Sequence, residues 1–204
     1  MGDPGDAELT IRPANEATWE DLQTVFGTRG AASRCQCQRQ VLGDHDWWGM
    51  SVDERAQLLL EQTNIGDPDA GETCGLVAYR DGAPVGWVAV APRTTYRRLL
   101  RSNVPWAGRA EDKGDDTVWS VTCFVVRAGF RGEGLTYELA QAAVDHAREA
   151  GAAAVEGYPI VAKQGRTITW DEASVGTPQV FGAAGLVQVS SPTVRRRVMR
   201  MDVR

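Results

Sequence analysis

The sequence predicts an α/β domain built on a mixed, mostly antiparallel sheet with helices flanking it. Three observations carry this. Residues 118–160 read as strand, helix, strand, which requires a parallel pair joined by a right-handed crossover. Asp81 and Gly82 separate two apolar runs, a strong hairpin signal. The chain then closes on LVQVS and RRRVMRMDV, which read as an antiparallel pair.

Taken in order, ELTIR (8–12) alternates as a short strand and is followed by Pro13. Asn15 is placed to cap a helix in which Trp19, Leu22, Val25 and Phe26 recur at helical spacing. Periodicity fails from 28 to 50, a stretch rich in Gly, Arg and Gln that reads as an irregular excursion. SVDE (51–54) matches a capping box and opens a second helix through Ala56, Leu59 and Leu60. TCGLVAYR and PVGWVAVA are the hairpin strands. Residues 92–116 form a long polar connection with a helical turn around 96–100. TVWSVTCFVV (117–126) is apolar on both faces, as a central strand is. The helix from Leu135 to Ala150 keeps Glu138, Gln141, Asp145, Arg148 and Glu149 within an arc of roughly 100°, and Gly151 ends it. AAAVEGYPI (152–160) is the second parallel strand. A loop carrying Trp170 and a short helix, TPQVFGAAG, precede the closing pair.

With 204 residues, 43% hydrophobic and 24% charged, the chain suits one domain spanning 1–204, able to bury a core without disulfides or metals. A net charge of −5 supplies no global positive field, which argues against nucleic acid as a partner. The four cysteines (Cys35, Cys37, Cys74, Cys123) and two histidines (His45, His146) lack metal-site spacing, so no metal is expected. Cys35-x-Cys37 reads more simply as two ordinary thiols than as a redox pair. MGDPGDAELT has neither the basic region nor the apolar block of a signal peptide, and no apolar run reaches membrane-spanning length. A cytoplasmic protein without a membrane partner is the expectation; a homodimer stays open.

Chemistry concentrates in FVVRAGFRGEGLTYEL, where an apolar strand runs straight into a helix through two glycines. A helix N-terminus presents unpaired amides and partial positive charge, and glycines there let a phosphate approach. Arg131 adds a fixed cation. The junction therefore reads either as a diphosphate cradle or as a tight connection. It is no Walker loop, because no Gly-Lys-Ser/Thr follows, and the spacing of Gly129, Gly132 and Gly134 departs from a dinucleotide fingerprint.

Phe130-Arg131-Gly132-Glu133-Gly134-Leu135-Thr136 resembles motif A of the GNAT superfamily, the acyl-CoA-dependent N-acyltransferases. LTIRPANEATWEDL resembles the opening strand and helix of that family, and VFGAAGLVQV its closing helix and strand. The resemblance covers nearly the whole chain apart from 28–50. It implies a mixed sheet with a central, splayed parallel pair and acetyl-CoA as co-substrate. Phe124, Val125 and Val126 would lie along the pantetheine arm. Arg131, Gly132, Glu133, Gly134, Leu135, Thr136 and Tyr137 would hold the diphosphate through main-chain amides. The acceptor is left open between a small amine and a protein lysine.

In such an enzyme a neutral amine attacks the thioester directly, with no acyl-enzyme, and a backbone N–H steadies the oxyanion. An alkyl ammonium, with a pKa of ~10.4, must first lose its proton. Glu156 is the first candidate to take it, although alternation along a strand equally allows it to face solvent. The family often protonates the departing sulfur from a Tyr in the closing helix; Phe181 stands here instead, leaving water or Tyr158. Cys123 lacks a neighbouring base and is a poor nucleophile. Phe181 also favours an alternative, a catalytically weak acyl-CoA-binding sensor. Asp44, His45, Asp46, Trp47 and Trp48 fall where the family builds its acceptor cavity, or else the tryptophans only pack the excursion.

Overall fold

The computed structural model describes residues 8–204; most of MGDPGDAELT, where no signal peptide is expected, lies outside them. β1 (Leu9–Pro13) is an edge strand, where a proline without an N–H is tolerated. After it, Ala14–Glu16 form a single 3₁₀ turn and α1 (Trp19–Phe26) begins later than the sequence predicts. Its cap is Thr18, whose Oγ1 accepts the Asp21 amide at 3.1 Å. Asn15 is instead buried, donating its side-chain amide toward the carbonyls of Asp67, Pro68 and Ala70 at 3.2–3.4 Å. A competing interior role outbid the capping role.

The excursion also differs from expectation. It contains α2 (Ala31–Cys35) and α3 (Asp44–Gly49). Its glutamines are internal fasteners rather than signs of a loop: Gln36 pairs with Gln23 at 2.9 Å and Gln38 with Gln62 at 2.9 Å. Trp47 lies between the guanidinium groups of Arg39 and Arg55, at 5.1 and 3.9 Å, while Trp48 is 79% exposed. α4 (Val52–Thr63) starts with the predicted capping box of Ser51 and Glu54.

β2 (Gly75–Arg80) and β3 (Ala83–Pro92) pair antiparallel across a two-residue turn. Both turn residues take positive φ, Asp81 at 49° and Gly82 at 78°, as a type I′ turn demands. The connection carries α5 (Arg97–Arg101) and leads into β4 (Val118–Val126). α6 (Leu135–Glu149) buries Leu135, Leu139, Ala140, Ala143, Val144 and Ala147, the apolar face that its periodicity defines. β5 (Ala154–Gly157) is shorter than the predicted strand; Ile160 makes only an isolated bridge to Arg196. α7 (Trp170–Ala173), α8 (Pro178–Ala183), β6 (Val187–Thr193) and β7 (Arg196–Asp202) complete the chain.

The seven strands form one sheet in the order β1-β2-β3-β4-β5-β7-β6, antiparallel throughout except for β4 and β5. One core layer lies between the sheet and α6 with α8, the other between the sheet and α1. Among the described residues, no helix is long and apolar enough to cross a membrane.

Candidate active site

At the end of β4 the chain makes one 3₁₀ turn (Ala128–Phe130) and then reaches α6 through Arg131, Gly132, Glu133 and Gly134, all exposed. Gly134 is the N-cap of α6, and no side chain caps the helix, so first-turn amides face solvent unoccupied by protein side chains. Gly132 and Gly134 have φ of 84° and 82°, and a Cβ at either would meet nothing within 4 Å. The glycines are therefore required by backbone conformation rather than by crowding, and the corner they form is open.

The neighbours of this turn divide by role. Leu135 is buried in the α6 core and offers only its backbone outward; Thr136 is half-buried and Tyr137 is 43% exposed. Glu133 pairs with Arg80. Arg131 donates Nε–H to the Val126 carbonyl at 3.1 Å, and its guanidinium lies 5.3 Å from the ring centre of Trp170. Phe124 is buried edge-on against Phe181 at 5.8 Å, whereas Val125 points into the opposite core layer, against α1.

β4 and β5 pair over four positions, from Val118 with Ala154 to Val121 with Gly157, while β4 continues to Val126 alongside β3. The parallel strands thus separate halfway along β4. Into the opening comes the segment after α7: the Phe124 amide donates to the Ser174 carbonyl at 2.6 Å, and the Ile160 amide to the Gly176 carbonyl at 3.1 Å. A Cβ at Gly176 would lie 2.5 Å from the Phe181 ring, so only glycine fits there.

Glu156 and Gly157 leave β5 on opposite faces. Gly157 faces α8, where a Cβ would stand 2.5 Å from Phe181, so Phe181 is a packing residue on the α6 side. Glu156 faces the other way and is 0% exposed; it does not reach solvent. A buried carboxylate needs counter-charge. Arg109 forks onto both of its oxygens, Arg200 reaches Oε1 at 3.1 Å, and Arg93 lies 3.6 Å from Oε2. The Tyr158 hydroxyl donates to Oε2 at 2.7 Å and lies 3.0 Å from Ser120 Oγ. Burial first, and the Glu156 charge second, push the Tyr158 phenol well above its usual range, so it holds its proton.

Arg93, Arg109, Arg200 and Ser120 were not singled out by the sequence. The charges come from the long connection and from β7, 44 to 63 residues away in sequence from Glu156. The one available signal was Glu156 itself, a carboxylate inside an apolar strand that demands partners. Trp106 gathers the cations, with Arg93, Lys113 and Arg109 at 5.0, 5.1 and 5.4 Å from its ring.

The remaining candidates lie apart. All four cysteines are free; burial pushes Cys35 up to about 11 and Cys74 up to about 12, leaving both inert thiols. His146 stacks edge-on against Trp119 at 5.7 Å, and burial lowers its pKa, with Glu149 opposing the shift. Desolvation outweighs the helix-terminus effect, which alone would favour its charge. Among the described residues, no group of three His, Cys, Asp or Glu side chains could hold a metal ion.

An open glycine corner at a helix start thus lies beside a parallel pair that separates midway. The sequence profile described as Acetyltransferase (GNAT) family matches residues 40–158, more than half of the chain, and the chain belongs to that family. No curated protein matches the sequence significantly. Solved structures agree on the fold. The N-acetyltransferase from Staphylococcus aureus Mu50 is 14% identical, aligned over 97% of this chain and 100% of that one, with a TM-score of 0.55. The yncA protein of Salmonella typhimurium, solved with its cofactor acetyl-CoA, is 15% identical over 96% and 94%, with a TM-score of 0.51. A GNAT-family structure from Desulfovibrio desulfuricans is 12% identical over 97% and 100%, with a TM-score of 0.53.

Proposed function

We propose that the chain is a single-domain N-acetyltransferase that moves the acetyl group of acetyl-CoA to a primary amine in a ternary complex. The observation that carries this reading is the uncapped start of α6 at Gly134, exposed beside the opening between β4 and β5. Amides from Gly132 to Thr136 hold the diphosphate, with Arg131 adding charge and Tyr137, whose amide donates to the Gly134 carbonyl at 2.8 Å, bordering it; the pantetheine arm runs along Phe124, Val125 and Val126. Acetyl-CoA as the cofactor draws support from family membership and from the acetyl-CoA bound by the yncA structure.

In this reading the amine, having lost one proton to water, attacks the thioester carbon while a β4 amide steadies the oxyanion. The carbon–sulfur bond then breaks. The proton shed by the new amide nitrogen passes to the Tyr158 oxygen as the phenol proton moves to Glu156. Returned from Glu156, it reaches the departing sulfur through the same hydroxyl. Tyr158 thereby covers the role that Phe181 lacks the hydroxyl to perform.

Free-thiol release from acetyl-CoA in the presence of small amines and lysine peptides tests the reading. Turnover with any one acceptor class is expected. The full ion-pairing of Glu156, together with Phe181, favours a second reading, an acyl-CoA-binding sensor, and binding without turnover across the panel would select it.

A further inference from the structure

The opening between β4 and β5 is occupied. Arg127 donates its amide to Val85 of β3 at 2.9 Å, so by strand alternation Phe124 and Val126 turn their backbone groups toward the opening. Both are engaged. Phe124 N–H is held by the Ser174 carbonyl, and the Val126 carbonyl by Arg131 Nε. On the other side, Ile160 N–H is held by the Gly176 carbonyl. Residues 174–176 therefore sit as a turn in the slot, with one carbonyl turned to each parallel strand segment. Trp170, 61% exposed, lies against Arg131 above the glycine turn. From outside, Arg195 clamps the segment through its ion pair to Glu172 at 2.7 Å.

We infer that residues 169–176 are an autoinhibitory strap that must leave the slot before a pantetheine arm can pair with Phe124. This rests on the acetyl-CoA reading of the site. The strap and the arm compete for one amide, and a single N–H serves one acceptor well. The diphosphate likewise competes for Arg131, whose withdrawal from Trp170 and from Val126 frees both ends of the slot. Cofactor binding and strap release are then one equilibrium, and the closed population lowers apparent affinity by the fraction that is open. Positive-φ glycines lie near both ends, Gly165 at 73° and Gly176 at 79°, positions where the backbone turns with little side-chain obstruction.

Hydrogen–deuterium exchange on the full chain, with and without saturating acetyl-CoA, tests this. With cofactor, residues 169–176 should exchange about tenfold faster while residues 131–137 slow; unchanged or slower exchange at 169–176 overturns the strap. Arg195→Ala lies outside the cofactor path and loosens the clamp. It should bind acetyl-CoA about threefold more tightly, a shift set by population arithmetic, and an unaltered affinity counts against the strap. Failure of acetyl-CoA to slow 131–137 would instead overturn the acetyltransferase reading. The strap is then still judged in the free protein, where Arg195→Ala must speed exchange at Phe124 and at 169–176; no change overturns it.

Discussion

Tyr158 donates its hydroxyl to Oε2 of Glu156 at 2.7 Å, and the two side chains share one face at the end of β5. The pair links a phenol that keeps its proton to a carboxylate closed off from water. Substituting either member separates proton handling from cofactor binding. Tyr158→Phe and Glu156→Gln should each lower kcat by about 10²-fold, the usual worth of a positioned acid–base group, with acetyl-CoA affinity within about twofold of wild type. Steady-state thiol release paired with calorimetric titration checks both. Unchanged turnover removes the pair from the chemistry.

The phenol also fixes a pH expectation. Burial and the Glu156 charge both raise the Tyr158 pKa above its ordinary 10.0, so its proton stays in place throughout the neutral and mildly alkaline range. A pH–rate profile from 7 to 10 should show no alkaline limb that Tyr158→Phe abolishes. A limb with its midpoint below 10 that vanishes in the variant contradicts the environment described for Tyr158.

Arg109 bears on stability as well as on the site. Its side chain is 6% exposed and forks onto a fully buried carboxylate. Arg109→Met should cost about 1–3 kcal/mol, the loss of charge-assisted hydrogen bonds to a buried carboxylate that Arg93 and Arg200 still face, and adding Glu156→Gln should cost less than the two single losses summed. Urea unfolding midpoints of the single and double variants report the difference. Additive losses would mean that the two groups do not stabilise each other.

His146 sets a separate pH dependence. Burial lowers its folded pKa below 6.5, so the unfolded chain binds the proton more readily. Its contribution is present above pH 6.5 and is lost as pH falls from there through the folded pKa. Denaturation midpoints should therefore decline between pH 7.5 and 5.5, with a shallower decline in His146→Gln. Carboxylates with lowered pKa values, such as Asp44 and Glu54, act below that window. Identical slopes for the two proteins would contradict this assignment.

Local rules made much of the fold legible. The I′ turn at Asp81-Gly82, the capping box at Ser51 and Glu54, and the apolar face of α6 each follow from a few adjacent residues. What escaped was decided at long range. Asn15 abandoned its cap for carbonyls more than 50 residues away, and Gln36 and Gln38 read as loop residues because their partners, Gln23 and Gln62, lie on other helices. The glycine turn at the start of α6 was visible in the sequence. The ring of Arg93, Arg109 and Arg200 around Glu156 was not, since no spacing rule joins the long connection to β5 and to β7. The strap was hidden for the same reason: its contacts to Phe124 are made by backbone, which composition does not reveal.

Calorimetric titration of acetyl-CoA into the wild type and Gly134→Val probes the glycine corner itself. The variant places a β-branched residue at a φ of 82° and a side chain over the first-turn amides. Binding by the wild type and at least about tenfold weaker binding by the folded variant, the worth of one or two lost amide–phosphate bonds, is the predicted result. Equal affinities would show that the coenzyme is held elsewhere.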